Sequence, residues 1–131
     1  MRNNVLATIS LLVVLGARAD EAGTKVTGEE LRKLVTGANV THVNKFGSLR
    51  RWTNEPDGSL LAWSSNQKHG SATAAPRSAH GKWSINDEGK YCIEIDWKRD
   101  DEKWCAAIIK ATDGNYYLSS VDPSRKIEFA K

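Results

Sequence analysis

The stretch GKWSINDEGKYCIEIDWKRDDEKWCAAI, Gly81 to Ile108, holds both cysteines and three of the five tryptophans of a 131-residue chain. In Tyr91–Trp97 one face carries Tyr91, Ile93, Ile95 and Trp97, and the other carries Cys92, Glu94 and Asp96. In the next run one face carries Trp104, Ala106 and Ile108, and the other Lys103, Cys105, Ala107 and Ile109. Strict alternation marks strands, and side chains that meet across a ladder share a face. A hairpin with its loop at Lys98–Asp101, or slightly tighter, brings tryptophan and isoleucine together on one side. On the other side it brings together the cysteines, and Lys103 with Glu94 or Asp96. Both registers keep the cysteines on one face, directly opposite or diagonal, so the spacing predicts a disulfide between Cys92 and Cys105. It would close a loop of about a dozen residues, worth roughly 3 kcal/mol.

Outward from this hairpin the same pattern recurs. Strands are expected at Val40–Phe46, Leu49–Thr53, Leu60–Ser65, Gly81–Ile85, Tyr91–Trp97, Lys103–Lys110, Tyr116–Val121 and Lys126–Ala130. Between them lie Glu55-Pro56-Asp57-Gly58, Asp87-Glu88-Gly89, Asp113-Gly114-Asn115 and Asp122-Pro123, residues whose backbone preferences turn a chain. Asn66 to Gly81 is small and polar and reads as a flap, with Gly70–Ala74 a candidate strand inside it. Ahead of the strands, Thr27 and Glu30 have the spacing of a capping box, Leu31, Leu34 and Val35 form an apolar stripe, and Gly37 suits a helix end. The predicted fold is mainly β (α+β): a short N-terminal helix, Gly28 to Thr36, packed on an antiparallel β-meander that forms a small up-and-down barrel or a strongly curved sheet. The helix is expected to cover the disulfide face, where Ala107 and Ile109 extend an apolar patch.

The first residues place Arg2 before an apolar run from Val5 to Gly16, followed by Ala17-Arg18-Ala19. This pattern predicts a signal peptide over residues 1–19, cut before Asp20, because the apolar run of roughly 12 residues is short of a bilayer span. Residues 20–131 then form one disulfide-bonded domain, with no membrane span after cleavage, in the periplasm or outside the cell. Of the 19 basic side chains, Arg2 and Arg18 leave with the signal, so 17 face 16 acidic ones. A near-neutral domain lacks the counterion-release term that drives nucleic-acid binding, and nucleic-acid partners are excluded.

Trp83, Trp97 and Trp104 run in phase with isoleucines and read as core. Arg50, Arg51, Trp52 and Trp63 are the candidate ligand-binding residues, since an aromatic beside guanidinium groups can hold a sugar, a peptide or a small anion. His42, His69 and His80 have no metal-ligand spacing, although His69 and His80 bracket the flap; no metal and no cofactor is expected. The carboxylates Glu94, Asp96, Asp100, Asp101 and Glu102 fall at a hairpin tip, where solvated turn residues are ordinary. No nucleophile elbow and no phosphate loop is present in the sequence, so no catalytic residue is named.

The order LRKLVTG, GKWSI, GKYCIEIDW and KWCAAI resembles a family of small exported bacterial proteins of unknown function, with Gly81, Trp83, Cys92, Trp97 and Cys105 its most specific points. The resemblance implies a periplasmic or secreted bacterial protein and carries over no active site. The function expected is non-enzymatic binding of a small ligand, a glycan or a protein, inhibitor-like proteins included. The rival readings are a hydrolase of cell-wall or glycan material, for which a pocket with two facing carboxylates is required, and a structural envelope component.

Overall fold

The computed structural model describes residues 23–44, 47–65, 77–98 and 100–131. Its strands are β1 (Thr24–Val26), β2 (Asn39–Val43), β3 (Leu49–Asn54), β4 (Ser59–Ser65), β5 (Arg77–Ile85), β6 (Tyr91–Trp97), β7 (Asp100–Ala106), β8 (Ile108–Lys110), β9 (Tyr116–Leu118) and β10 (Lys126–Ala130), with one α-helix among the described residues, α1 (Gly28–Val35), between β1 and β2, and a 3-10 turn at Pro123–Arg125 before β10. All pairings are antiparallel, in the order β1-β8-β9-β10-β2-β3-β4-β5-β6-β7. Only Ala107 separates β7 from β8 in the chain, yet β7 ends the order on one side and β8 stands next to the other end. That covalent join curls the sheet into a half-barrel.

All eight expected strands are present, Tyr91–Trp97 and Lys126–Ala130 with the expected limits and the other six with changed ones. β5 begins earlier, at Arg77, inside the segment read as a flap, while β9 ends early at Leu118. The run expected at Lys103–Lys110 starts at Asp100 and breaks at Ala107. β1 was not expected, because three residues are too few to show a period. The rest of the flap, with its candidate strand at Gly70–Ala74, and the signal-like segment lie outside the described residues.

The hairpin takes the tighter register. Trp97 opposes Asp100, Glu94 opposes Lys103, and Cys92 opposes Cys105 with their Cα atoms 4.0 Å apart and a disulfide between them. Tyr91, Ile93, Ile95 and Trp97 are all at most 3 % exposed, so this face lines the inside of the curl. The disulfide is on the outside. Here the helix departs from expectation: Leu31 and Val35 are fully buried in the same cluster as Tyr91, Ile93 and Ile108, on the concave face rather than the disulfide face. A curled sheet concentrates its apolar side chains inside the curl, and the helix stripe buries more apolar area there than on a convex surface. The expected capping box does not form either. Thr27 makes no side-chain cap bond, and Gly28, with a φ of +59°, turns the chain into the helix instead.

A chain of buried hydrogen bonds fixes the helix end to the sheet. Trp52 Nε1 donates to the Tyr91 hydroxyl (2.9 Å), Tyr91 donates to Asn54 Oδ1 (2.7 Å), and Asn54 Nδ2 donates to the carbonyl of Val35 (2.9 Å). The Asn54 backbone adds two more bonds, donating to Ala38 and accepting from Gly37. Asn54 is fully buried, and burial pushes the ionisation of Tyr91 well above the usual phenol range. At the C-terminus, Lys131 Nζ donates to the carbonyls of Lys33 and Thr36, occupying acceptors that the last helical turn leaves open.

The G-x-W motif has two physical jobs. A Cβ on Gly81 would lie 2.1 Å from the carbonyl oxygen of Glu94, so only glycine lets β5 and β6 approach this closely. Trp83 clamps the β3–β4 turn, donating from its indole to Glu55 (2.6 Å) and from its backbone to Gly58 (2.9 Å).

Two substitutions test this account. Tyr91→Phe leaves Trp52 Nε1 and Asn54 Oδ1 buried without their partner, and urea unfolding should show a loss of about 2–3 kcal/mol. Gly81→Ala should cost about 1–3 kcal/mol through overpacking, with a lowered thermal midpoint.

Candidate functional site

Strand register decides which side chains meet at the open end of the half-barrel. His42 pairs with Arg50, Arg50 with Ser64, and Ser64 with Arg77, so four residues from β2, β3, β4 and β5 form one row on the inner face. Two residues further along each strand lies the row Val40, Trp52, Ala62 and Ala79, apolar and buried. The lining thus changes from apolar to basic within one pleat repeat, about 7 Å. Ala62, the cross-strand partner of Trp52, and Ala79 beyond it are small and buried.

Trp97 from β6 lies under the basic row. The guanidinium carbons of Arg50 and Arg77 stand over its ring at 5.8 and 5.6 Å, within cation–π range. Glu102, on the inner face of β7, forms an ion pair with Arg50 and accepts from Trp104 Nε1 (2.8 Å) and Trp97 Nε1 (3.3 Å). Its side chain is only 12 % exposed. Arg50 is less well satisfied: its Nε is buried without a hydrogen-bond partner, a loss of about 1–3 kcal/mol for such a group. Burial, and then the charge of Arg77, push the Arg50 pKa down from the ordinary arginine value.

Beside this cluster the sheet leaves a cleft of about 460 Å³, lined by residues that include His42, Arg50, Glu102, Trp104, Leu118 and Arg125. β7 is the last strand in the order, so among the described residues its far edge has no ladder partner, and it supplies one wall. Ser119, also in the lining, is the one non-glycine residue with positive φ (67°) among the described residues. Such conformations are strained and concentrate at ligand sites. A second hollow, lined by Arg77, Ser78, Trp97 and Lys98, adjoins Trp97.

The four candidate ligand-binding residues do not converge. Alternation sends Arg50 and Trp52 inward and Arg51 and Trp63 outward. Arg50 lies at the mouth. Trp52 lies one row deeper, 1 % exposed with its indole bonded to Tyr91, so in this structure it is a core residue and offers no surface platform. Arg51 and Trp63 are cross-strand partners on the convex face, where Trp63 is 42 % exposed beside Thr41 and Thr53. Of the three tryptophans read as core, Trp83 and Trp97 are buried, while Trp104 is half-buried and lines the cleft. Within the acidic group, Glu94, Asp96, Asp100 and Asp101 are exposed, but Glu102 is not a solvated turn residue. Its phase with Trp104 and Ala106 was the available signal, as was the phase of Arg77 with Ala79 and Trp83. His80 is exposed, and His69 lies outside the described residues. Among the described residues no three His, Cys, Asp or Glu side chains are grouped to hold a metal ion.

A helix-plugged half-barrel with a basic, tryptophan-lined mouth defines a small β-cup. A family model described as a protein of unknown function (DUF995) matches residues 7–109, and the chain belongs to that family. No curated protein and no solved structure matches it. The match stops before β9 and β10, which follow residue 109 and supply Leu118 to the cleft. Among the described residues no helix is long and apolar enough to cross a membrane.

His42 gives the mouth a pH signature. Its Nδ1 bonds the carbonyl of Lys126 (2.9 Å), and burial is the largest influence on its pKa, with Arg50 adding to it; the net shift is downward. The unfolded chain therefore takes up a proton at about pH 6.5, before the folded protein does. Stability from this group is complete above that pH and is lost as pH falls below it. Thermal midpoints measured from pH 7.5 down to pH 5 should decline in the wild type, and the decline should be shallower in His42→Gln.

Proposed function

We propose that this chain is an exported bacterial protein that binds a small ligand in the mouth of its β-cup without transforming it. The observation that carries the reading is the cleft beside β7. It has the volume of a small-molecule site, an apolar wall from Trp104 and Leu118, and a few converging polar groups from Arg50, Glu102 and His42. Export rests on the N-terminal pattern, and a disulfide on the exposed side of the hairpin suits an oxidising compartment. The hydrolase reading asks for two facing carboxylates about 5–9 Å apart. Among the described lining residues Glu102 is the one carboxylate, and Arg50 already neutralises it. A second binding reading is favoured by the convex face, where exposed Trp63 and Arg51 stand side by side and could receive a glycan or a protein.

Intrinsic fluorescence separates the two surfaces. Hydrophobes, organic acids and glycan fragments are titrated into the purified protein, and into Trp63→Ala and Trp104→Phe. Ligand in the cup should change tryptophan emission in the wild type and in Trp63→Ala, and the change should shrink in Trp104→Phe. A response lost only in Trp63→Ala would move binding to the convex face, and silence from every compound would overturn both.

A further inference from the structure

We infer that the cup selects an organic acid with a planar apolar body, and that Glu102 occupies the acid's place on Arg50 when the cup is empty. The inference deepens the ligand-binding reading above and rests on it. Charge is the first ground. Arg50 and Arg125 line the cleft, Arg77 and Lys98 line the adjoining hollow, and His42 is held toward its neutral form. Against these cations stands Glu102 within the cleft, with Asp100 exposed further along the same face of β7. Asp122 lies close enough to Arg125 to feel its charge, so the positive surplus of the mouth centres on Arg50 and Arg77, which share the single inner carboxylate of Glu102.

Hydrogen bonding is the second ground. Arg50 has a buried Nε donor with no acceptor, while its terminal nitrogen holds Glu102. A guanidinium receives a carboxylate best through two parallel donors, and the internal pair leaves that capacity partly unused. Glu102 has other partners, the indole donors of Trp97 and Trp104, so it can give up Arg50 and remain bonded. Shape is the third. The wall next to Arg50 is built from Trp104, Ala106 and Leu118, a surface for a flat apolar body rather than for a polyhydroxylated one. An inorganic anion would leave that wall uncovered.

Naphthalene-2-carboxylate and its neutral isostere naphthalene-2-carboxamide are the probes, with affinity read from tryptophan emission. The acid should bind about tenfold tighter or more, the factor that one charge-assisted hydrogen bond supplies, and its advantage should fall as salt rises. Glu102→Gln removes the internal competitor and should tighten the acid several-fold, raising the ratio of acid to carboxamide affinity above that of the wild type. Arg50→Gln should erase the preference, and Arg125→Gln, at an exposed position, should reduce it even if the Glu102 variant fails to fold. Equal affinity for acid and carboxamide in the wild type overturns this inference and leaves the cup as a binding site. Weaker acid binding in a folded Glu102→Gln overturns the stand-in role. Binding of neither probe counts against both the selectivity and the cup.

Discussion

The bonds made by Asn54 hold the end of the helix to the sheet. The helix ends over the concave face of the sheet, and its last turn has carbonyls that need donors. Asn54 meets one of them from the side chain, and through Tyr91 and Trp52 the same network reaches β6 and β3. Each donor atom of this network, Trp52 Nε1, Tyr91 Oη and Asn54 Nδ2, has an acceptor, which is the condition under which buried polar groups order a core instead of weakening it. With the helix fixed this way, Leu31 and Val35 plug one end of the curl, and the other end stays open.

The open end follows from the same registers that fill the closed end. One row of inner residues is alanine, valine and tryptophan; the next is histidine, arginine, serine and arginine. No loop is required to carry these groups, since rigid strands place them. That placement has a thermodynamic cost, visible in the unpartnered Nε of Arg50 and in the strained backbone of Ser119. Both lie at the cleft, and a structure optimised only for stability would have neither.

Most of the fold was legible in the sequence because alternation and turn chemistry are local signals. The strand phases, the hairpin, the facing cysteines and the Gly37 helix end could all be read from neighbours in the chain. The side on which the helix packs could not, because both sheet faces near the hairpin carry apolar residues and the sense of curl is a property of the whole sheet. The site was less legible. Arg50, Arg51, Trp52 and Trp63 are conspicuous as neighbours in sequence and register, but period-two geometry divides them between two surfaces. Arg77 and Glu102 join Arg50 from strands far apart in the chain, and only the register of four ladders brings them together. Phase alone pointed inward for Glu102, against the expectation that an acidic run at a turn is solvated.

That acidic run, Asp100-Asp101-Glu102 followed by Lys103, has a consequence for the protein as one molecule in a crowded solution. Among the described residues β7 is an edge strand, the kind on which a strand from another copy can add and start a growing assembly. Four consecutive charged residues at the start of that strand would be stripped of water by such an addition, a cost that opposes it. The disulfide ties the same strand to β6, so it cannot peel away and expose a second edge. The edge that walls the cleft is thereby guarded against a copy of the protein itself.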